Sequence, residues 1–313
     1  MPSIATLFDT HGPFLRRRDL LRLGLNDRVI AHALRGRVIF RVRHGWYARP
    51  SAPDAAIRAI RVGGRLTGRT ALESYGLPVP RNPVVELVAP RNACRLRRPG
   101  DKGARLTRRD RTSVRWVDGP RNAGATASWR VSVDDALLHV LLTESRDVSV
   151  ACCDVVMRRL GWNDSQLDAV FARAPKRVRA WRDLVVSNAD SFGETYVRLW
   201  CADAGITFVP QPSRPGVGRL DGRISTHVFL EIDGIGHDDR DDDDPDTQFE
   251  KDHRRDLTMA INGDRVLRVT YRQILAEWPS CVAAMRRLIA DDALFEQLRS
   301  RHPVPRRRSR RSG

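Results

Sequence analysis

Six residues, Val228 to Asp233 in the stretch VFLEID, constrain the fold more than any other part of the chain. Val228, Leu230 and Ile232 alternate with Phe229, Glu231 and Asp233, the two-residue period of a strand whose faces differ. The strand must bury Val228, Leu230 and Ile232, and it then carries Glu231 and Asp233 together on its other face. The preceding stretch, GVGRLDGRISTH, reads as the first arm of a hairpin that brings Asp221 to the neighbouring strand. Asp221, Glu231 and Asp233 can therefore converge on one cation. An all-oxygen ligand set suits Mg²⁺ or Mn²⁺, which keep waters and accept phosphate oxygens.

The surrounding segments complete a candidate domain at residues 191–298. SFGETYVRLWCADAG predicts a helix capped by Ser191, with Phe192, Tyr196, Leu199 and Trp200 on its apolar face and Glu194 off that stripe. TQFEKDHRRDLTMAIN predicts a second helix and RVLRVTYRQI a further strand. His237, just past Gly234, is placed to act as a general acid or base, and Glu194 to hold a metal-bound water or a second ion.

Charge divides the chain. It carries 55 Lys+Arg against 38 Asp+Glu, a formal net charge of +17, and only Lys102, Lys176 and Lys251 are lysines. Yet residues 191–298 hold 13 Lys+Arg against 20 Asp+Glu, and residues 299–313 hold seven arginines and no acid. Residues 1–190 thus carry the whole excess. A basic, arginine-rich segment points to a polyanionic partner, nucleic acid before an anionic membrane, and arginine suits bidentate contacts to phosphate and guanine.

The first fifty residues have a matching architecture. Leu7 and Phe8 mark one short helix, and Asp19, Leu20, Leu21 and Leu23 a second that stops at Gly24. Asn26 caps a third, in which Val29, Ile30, Ala33 and Leu34 recur at helical spacing up to Gly36. RVIFRVRHGWYA then alternates as a hairpin. Three helices and a two-stranded wing form a winged helix-turn-helix. Asp27, Arg28, Ala31, His32 and Arg35 would face the major groove, and Arg37, Arg41, Arg43 and His44 in the wing would meet phosphates. The run LLRLGLNDRVIAHALRGRVIFRVRHGWYA also resembles the N-terminal domain of AbiEi-type antitoxins over about 45 residues, and that resemblance implies the same DNA-binding module.

Residues 51–190 read as a basic α+β region without assigned chemistry. GRLTGRTALESYGLP predicts a helix, VVELVAP a strand, VSVDDALLHVLLTES an amphipathic helix followed by others, and RNACRLRRPGDKGARLTRRDR an exposed basic loop; His139 reads as a core residue. Five cysteines with no CxxC pair and no secretory leader fit a reducing, cytoplasmic setting, and no segment has the ~20 apolar residues of a membrane span. The segment 299–313 reads as a disordered tail.

The order SFGE, GRLDG, VFLEIDGIGH, FEKDHRRD and RVLRVT resembles the Vsr-like endonucleases of the PD-(D/E)xK, restriction-endonuclease-like superfamily, over roughly residues 190–290. The resemblance implies a mixed sheet flanked by helices and divalent-metal cleavage of DNA. Asp221 stands for the family's strand aspartate, Glu231 for the first acid of (D/E)xK, His237 for the histidine after the strand and Glu194 for the N-terminal helix glutamate. Asp252 and Arg255 match its DxxR, where Arg255 would hold a phosphate. The motif lysine is absent, and Asp233 occupies its place. The expected protein is mixed α/β: a winged helix at 1–50, a linker domain at 51–190, an endonuclease-like domain at 191–298 and the tail. Two functions follow: a Mg²⁺- or Mn²⁺-dependent endonuclease that hydrolyses DNA phosphodiester bonds, or a non-catalytic, antitoxin-like regulator using a nuclease fold as scaffold. DNA is the expected partner, with a cognate toxin or self-association as further partners. The acidic run DDRDDDDPD reads either as a solvated insertion or as a device that repels DNA or occupies the arginine tail.

Overall fold

A computed structural model describes residues 3–93, 96–117, 129–189, 191–233 and 245–301. The chain is a mixed α/β protein that divides into two compact units, Met1–Val185 and Val186–Gly313. The first unit contains both the three-helix region and the basic middle. Among the described residues no helix is long and apolar enough to cross a membrane.

The first unit opens with α1 (Ile4–His11), β1 (Phe14–Arg16), α2 (Arg17–Arg22), α3 (Asp27–Arg35), β2 (Phe40–Arg43) and β3 (Trp46–Ala48). The three helices and the hairpin stand where the pattern places them, and β1 adds a third strand, giving the order β1-β3-β2. The Val29 N–H donates to Asn26 Oδ1 (3.0 Å), the expected cap of α3. Leu7, Phe8, Leu20, Leu25, Ile30, Ala33, Ile39 and Tyr47 form one core. Val29 is not part of it and is exposed, because Ile30 and Ala33 define the inward stripe of this short helix.

Next come α4 (Asp54–Val62), β4 (Arg65–Leu66), α5 (Gly68–Ser74), β5 (Val85–Pro90), β6 (Thr112–Val117), α6 (Val133–Thr143), α7 (Arg146–Leu160), α8 (Asp164–Ala172) and α9 (Lys176–Arg179). The stretch expected as one helix from Gly64 to Gly76 is a two-residue strand followed by α5. The break lies just before Gly68, the first residue of α5, whose φ of +57° suits glycine and whose missing Cβ leaves room for the Glu86 carboxylate, 2.6 Å from where that atom would stand. That carboxylate caps α5 from the neighbouring strand: the Thr70 N–H donates to Glu86 Oε2 at 3.2 Å. His139 is buried as expected, and burial, then nearby Arg115, lowers its pKa to about 4, so the imidazole is neutral.

The second unit contains α10 (Phe192–Asp203), β7 (Val209–Pro210), β8 (Ser213–Arg214), β9 (Gly218–Arg219), β10 (Gly222–Arg223), β11 (Val228–Asp233), α11 (Pro245–Ile261), β12 (Arg265–Thr270), α12 (Tyr271–Ala276) and α13 (Trp278–Arg301). Its main sheet has the order β12-β11-β10-β7. β7, β10 and β11 are antiparallel, and β12 pairs parallel to β11 in the register Glu231–Arg268 and Asp233–Thr270. α13 runs to Arg301, three residues into the expected tail; residues 302–313 lie outside the described residues, as do Gly234–Asp244 with most of the acidic run.

The two faces of β11 are covered differently. Val228, Leu230 and Ile232 pack with Val197 and Cys201 of α10, Val269, Ile274 and Met285. Phe229 packs with Val217, Leu220 and Met259 of α11. Ser191 caps α10 as expected, accepting from the Glu194 N–H at 3.1 Å. Glu194, expected off the apolar stripe, is nonetheless 4% exposed. Gly193 explains this: it brings the first turn so near the sheet that a Cβ there would lie 2.5 Å from Ile232 Cγ2 and 3.0 Å from Ile274 Cδ1. Gly193→Val therefore overpacks this contact and destabilises the second unit by about 1–3 kcal/mol, read from the midpoint of urea unfolding.

Candidate functional site

The candidate site grows from the register of β10 and β11. Gly222 pairs with Leu230, so one step further along the same antiparallel register Asp221 stands across from Glu231. Asp221 immediately precedes β10 rather than lying within it. Its Oδ2 accepts the Ile232 N–H at 2.6 Å, which fixes the carboxylate against β11. Burial raises the pKa of Asp221 above its ordinary value; the Ile232 N–H works against this, and the charges of Glu231 and Asp233 add to the rise. The three acids are therefore near enough to feel one another. Asp233 is exposed at the end of the strand.

Glu231 differs from the expectation of an open ligand. Arg255 Nη2 of α11 donates to its Oε1 at 2.7 Å, and Arg268 Nε of β12 donates to its Oε2 at 2.8 Å. Arg268 Nη2 also donates to Asp256 Oδ1 at 2.8 Å. The Glu231 side chain is 18% exposed, so this clamp lies partly out of water, where charge-assisted hydrogen bonds are strongest. Arg255, expected to hold phosphate, is placed at the site but is engaged with Glu231.

Among the described residues no three His, Cys, Asp or Glu side chains are grouped closely enough to hold a metal ion. His237 lies outside the described residues. The donor chemistry fits a more open arrangement: one remaining oxygen of Asp221 and the exposed Asp233, completed by water and phosphate, is the sparse carboxylate set that Mg²⁺ commonly uses. Glu231 could join only by releasing an arginine. Glu194 is buried at the start of α10, behind the opposite face of β11.

Arg268 and Asp256 escaped sequence reasoning. RVLRVT does not reveal on which face of the sheet Arg268 stands; only the parallel register with β11 puts it beside Glu231.

In the first unit Arg28, His32 and Arg35 are exposed on α3, and Arg37 and Arg41 are exposed beyond it. Asp27 is engaged instead with Arg17, whose Nε donates to its Oδ1 at 2.9 Å. Arg43 turns toward α4, its Nη1 reaching the Ile60 carbonyl at 3.5 Å. Compared with known proteins, the chain matches no family model, and no curated protein matches it.

Asp221 yields a signed stability prediction. Its raised pKa means that the folded state holds the proton more tightly than the unfolded chain. The stabilising contribution is present below the ordinary aspartate value of 3.8 and is lost as the pH rises through the folded value. At pH 7 the ionised carboxylate opposes folding. In EDTA, Asp221→Asn keeps an acceptor for the Ile232 N–H and raises the urea midpoint at pH 7. The gain shrinks at pH 4.

Proposed function

We propose that the chain is a DNA-binding protein whose second unit is a metal-dependent endonuclease, of the Vsr-like, restriction-endonuclease-like type, that hydrolyses DNA phosphodiester bonds. The observation that carries this reading is the acid face of the second unit's sheet, where Asp221 and Asp233 flank Glu231 beside two arginines. The order α10-β7-β10-β11-α11-β12, three antiparallel strands followed by a crossover helix and a parallel strand, supports such a fold. In the first unit, three helices, a hairpin and the exposed Arg28, His32 and Arg35 support a winged helix-turn-helix that reads DNA. Among the described residues, four buried free thiols accord with a reducing compartment such as the cytoplasm.

In this reading Asp221 and Asp233 hold Mg²⁺ or Mn²⁺. The ion supplies Lewis acidity at the scissile phosphodiester and neutralises the charge that builds there. A cation there would relieve the repulsion from Glu231 and Asp233, which adds to the rise that burial gives the Asp221 pKa. Arg255 and Arg268 would be within reach of a phosphate on the same face of the sheet. Transfer of either guanidinium from Glu231 to a phosphate oxygen would release a Glu231 oxygen toward the site. His237 is the candidate proton carrier in the absence of a motif lysine.

A second reading is favoured by the clamp on Glu231. With both its oxygens taken by arginines and Asp233 where the motif lysine would stand, the unit could serve as a scaffold in a non-catalytic, antitoxin-like regulator. Incubation of plasmid and short duplex DNA with Mg²⁺ or Mn²⁺ separates the two readings. The nuclease nicks DNA, stops in EDTA and loses on the order of 10²-fold in rate with Asp221→Asn. The regulator retains DNA, cleaves none and tolerates that substitution.

Both readings predict binding that weakens steeply with salt, since each phosphate contact contributes about −0.9 to the slope of log K against log salt. Replacing the exposed wing arginines Arg37 and Arg41 together with alanine lowers the steepness of that slope by about two, measured by fluorescence anisotropy.

A further inference from the structure

A second concave site lies entirely within the first unit. It is a cavity of about 190 Å³ between the β2–β3 hairpin and the strand β5. A single ordered water needs only about 10–15 Å³ on the same measure, so the space accommodates a larger ligand. Its polar lining is three arginines and a histidine: Arg16 at the end of β1, Arg43 and His44 at the hairpin turn, and Arg65 on β4. Among the described residues that line it there is no aspartate or glutamate.

Three details argue that this is more than a solvated basic surface. Arg16 is held in place, its guanidinium carbon 4.6 Å from the centre of the Trp46 ring, and its Nε is buried without a hydrogen-bond partner. Burial lowers the Arg16 pKa, and the like charges of Arg18 and Arg65 lower it further; Asp19, which acts the other way, ranks below Arg18. Arg16 and Arg65 thus stand near enough to repel each other beside a cavity that no carboxylate lines. Gly63, with φ of +108°, leaves room for the Arg43 guanidinium, because a Cβ at that position would collide with Arg43 Nη1. The backbone is thus open where the cation sits.

We propose that this cavity binds a phosphate group, carried either by a free nucleotide or by a nucleic-acid strand lying on the first unit. Guanidinium groups pair with phosphate oxygens through parallel N–H donors, and two or more cations suit its multiple charge. The Trp46 ring, which carries the Arg16 guanidinium over its face, walls the cavity beside the cations. A bound phosphate would satisfy the Arg16 donor and offset the repulsion between Arg16 and Arg65. The proposal does not depend on the chemistry of the second unit.

The test titrates the full chain with inorganic phosphate, adenosine monophosphate and a short duplex DNA by calorimetry, alongside the double substitution Arg16→Gln with Arg43→Gln. For a free nucleotide as the source, phosphate and adenosine monophosphate bind saturably and raise the thermal midpoint. The double variant then loses at least tenfold in affinity for them. For a strand as the source, only the duplex binds, and the double variant weakens it at least tenfold and lowers the salt slope by about two. Duplex binding that fails altogether while adenosine monophosphate still binds would count against the DNA-binding reading and leave the cavity proposal intact. Phosphate and adenosine monophosphate binding at wild-type strength in the variant would place their site elsewhere and overturn the proposal. So would a wild type that binds neither of them, together with a variant that retains wild-type duplex affinity and slope.

Modification by phenylglyoxal, mapped by mass spectrometry on the wild-type chain, keeps the test independent of how the variant folds. Phosphate or duplex should slow reaction at Arg16 and Arg43 relative to the exposed Arg287 of the second unit. Equal rates at Arg16 and Arg43 with and without both ligands would also overturn the proposal.

Discussion

Burial of Val228, Leu230 and Ile232 beneath α10 is the constraint on which the second unit depends. A slip of one residue in β11 would turn those three side chains outward and drive Glu231 and Asp233 into the apolar layer, at a cost no local adjustment could offset. The register is therefore held by packing rather than by the acids. Once it is held, Asp221 must face Glu231 across the sheet, and Arg268 must stand beside Glu231 in the parallel pair. Gly193 reinforces the arrangement by letting α10 approach β11 without a side chain between them.

The two units manage charge in opposite ways. In the second unit acids dominate the candidate site, and the arginines there are engaged: Arg255 and Arg268 on Glu231, and Arg268 also on Asp256. Closed pairs of this kind hold side chains in defined places while adding little long-range field. In the first unit the cations of α3 stand exposed, and those of the Arg16 cavity converge without a lining carboxylate. Exposed charge of one sign produces a field that reaches several ångströms into solvent. The two units thus differ electrostatically, with exposed cations in the first and an acid face in the second.

The same physics sets the tension at the candidate site. Asp221 is made less acidic by burial and by its acidic neighbours, whereas Glu231 is neutralised by two guanidinium groups. A cation would relieve the first condition, and a phosphate could draw arginines away from the second. Both changes would be brought by one ligand pair, a divalent ion and a phosphodiester.

Much of this organisation is determined by the sequence itself. The period-two pattern at 228–233, the Asn26 and Ser191 caps and the Leu7–Phe8 core pair are local consequences of side-chain chemistry, and they stand where the pattern puts them. The shared face of Glu231 and Asp233 is of the same kind, because alternation alone decides it. Tertiary structure decided what alternation cannot reach. The strand β6 was not legible, and neither were the burial of Glu194, the break of the Gly64–Gly76 stretch at Gly68, or the clamp on Glu231 by residues 24 and 37 positions away. Each depends on which segments meet in space. A helix or strand period reports only how one segment faces its surroundings, whereas ion pairs and cavities arise from the register and packing between segments distant in the chain.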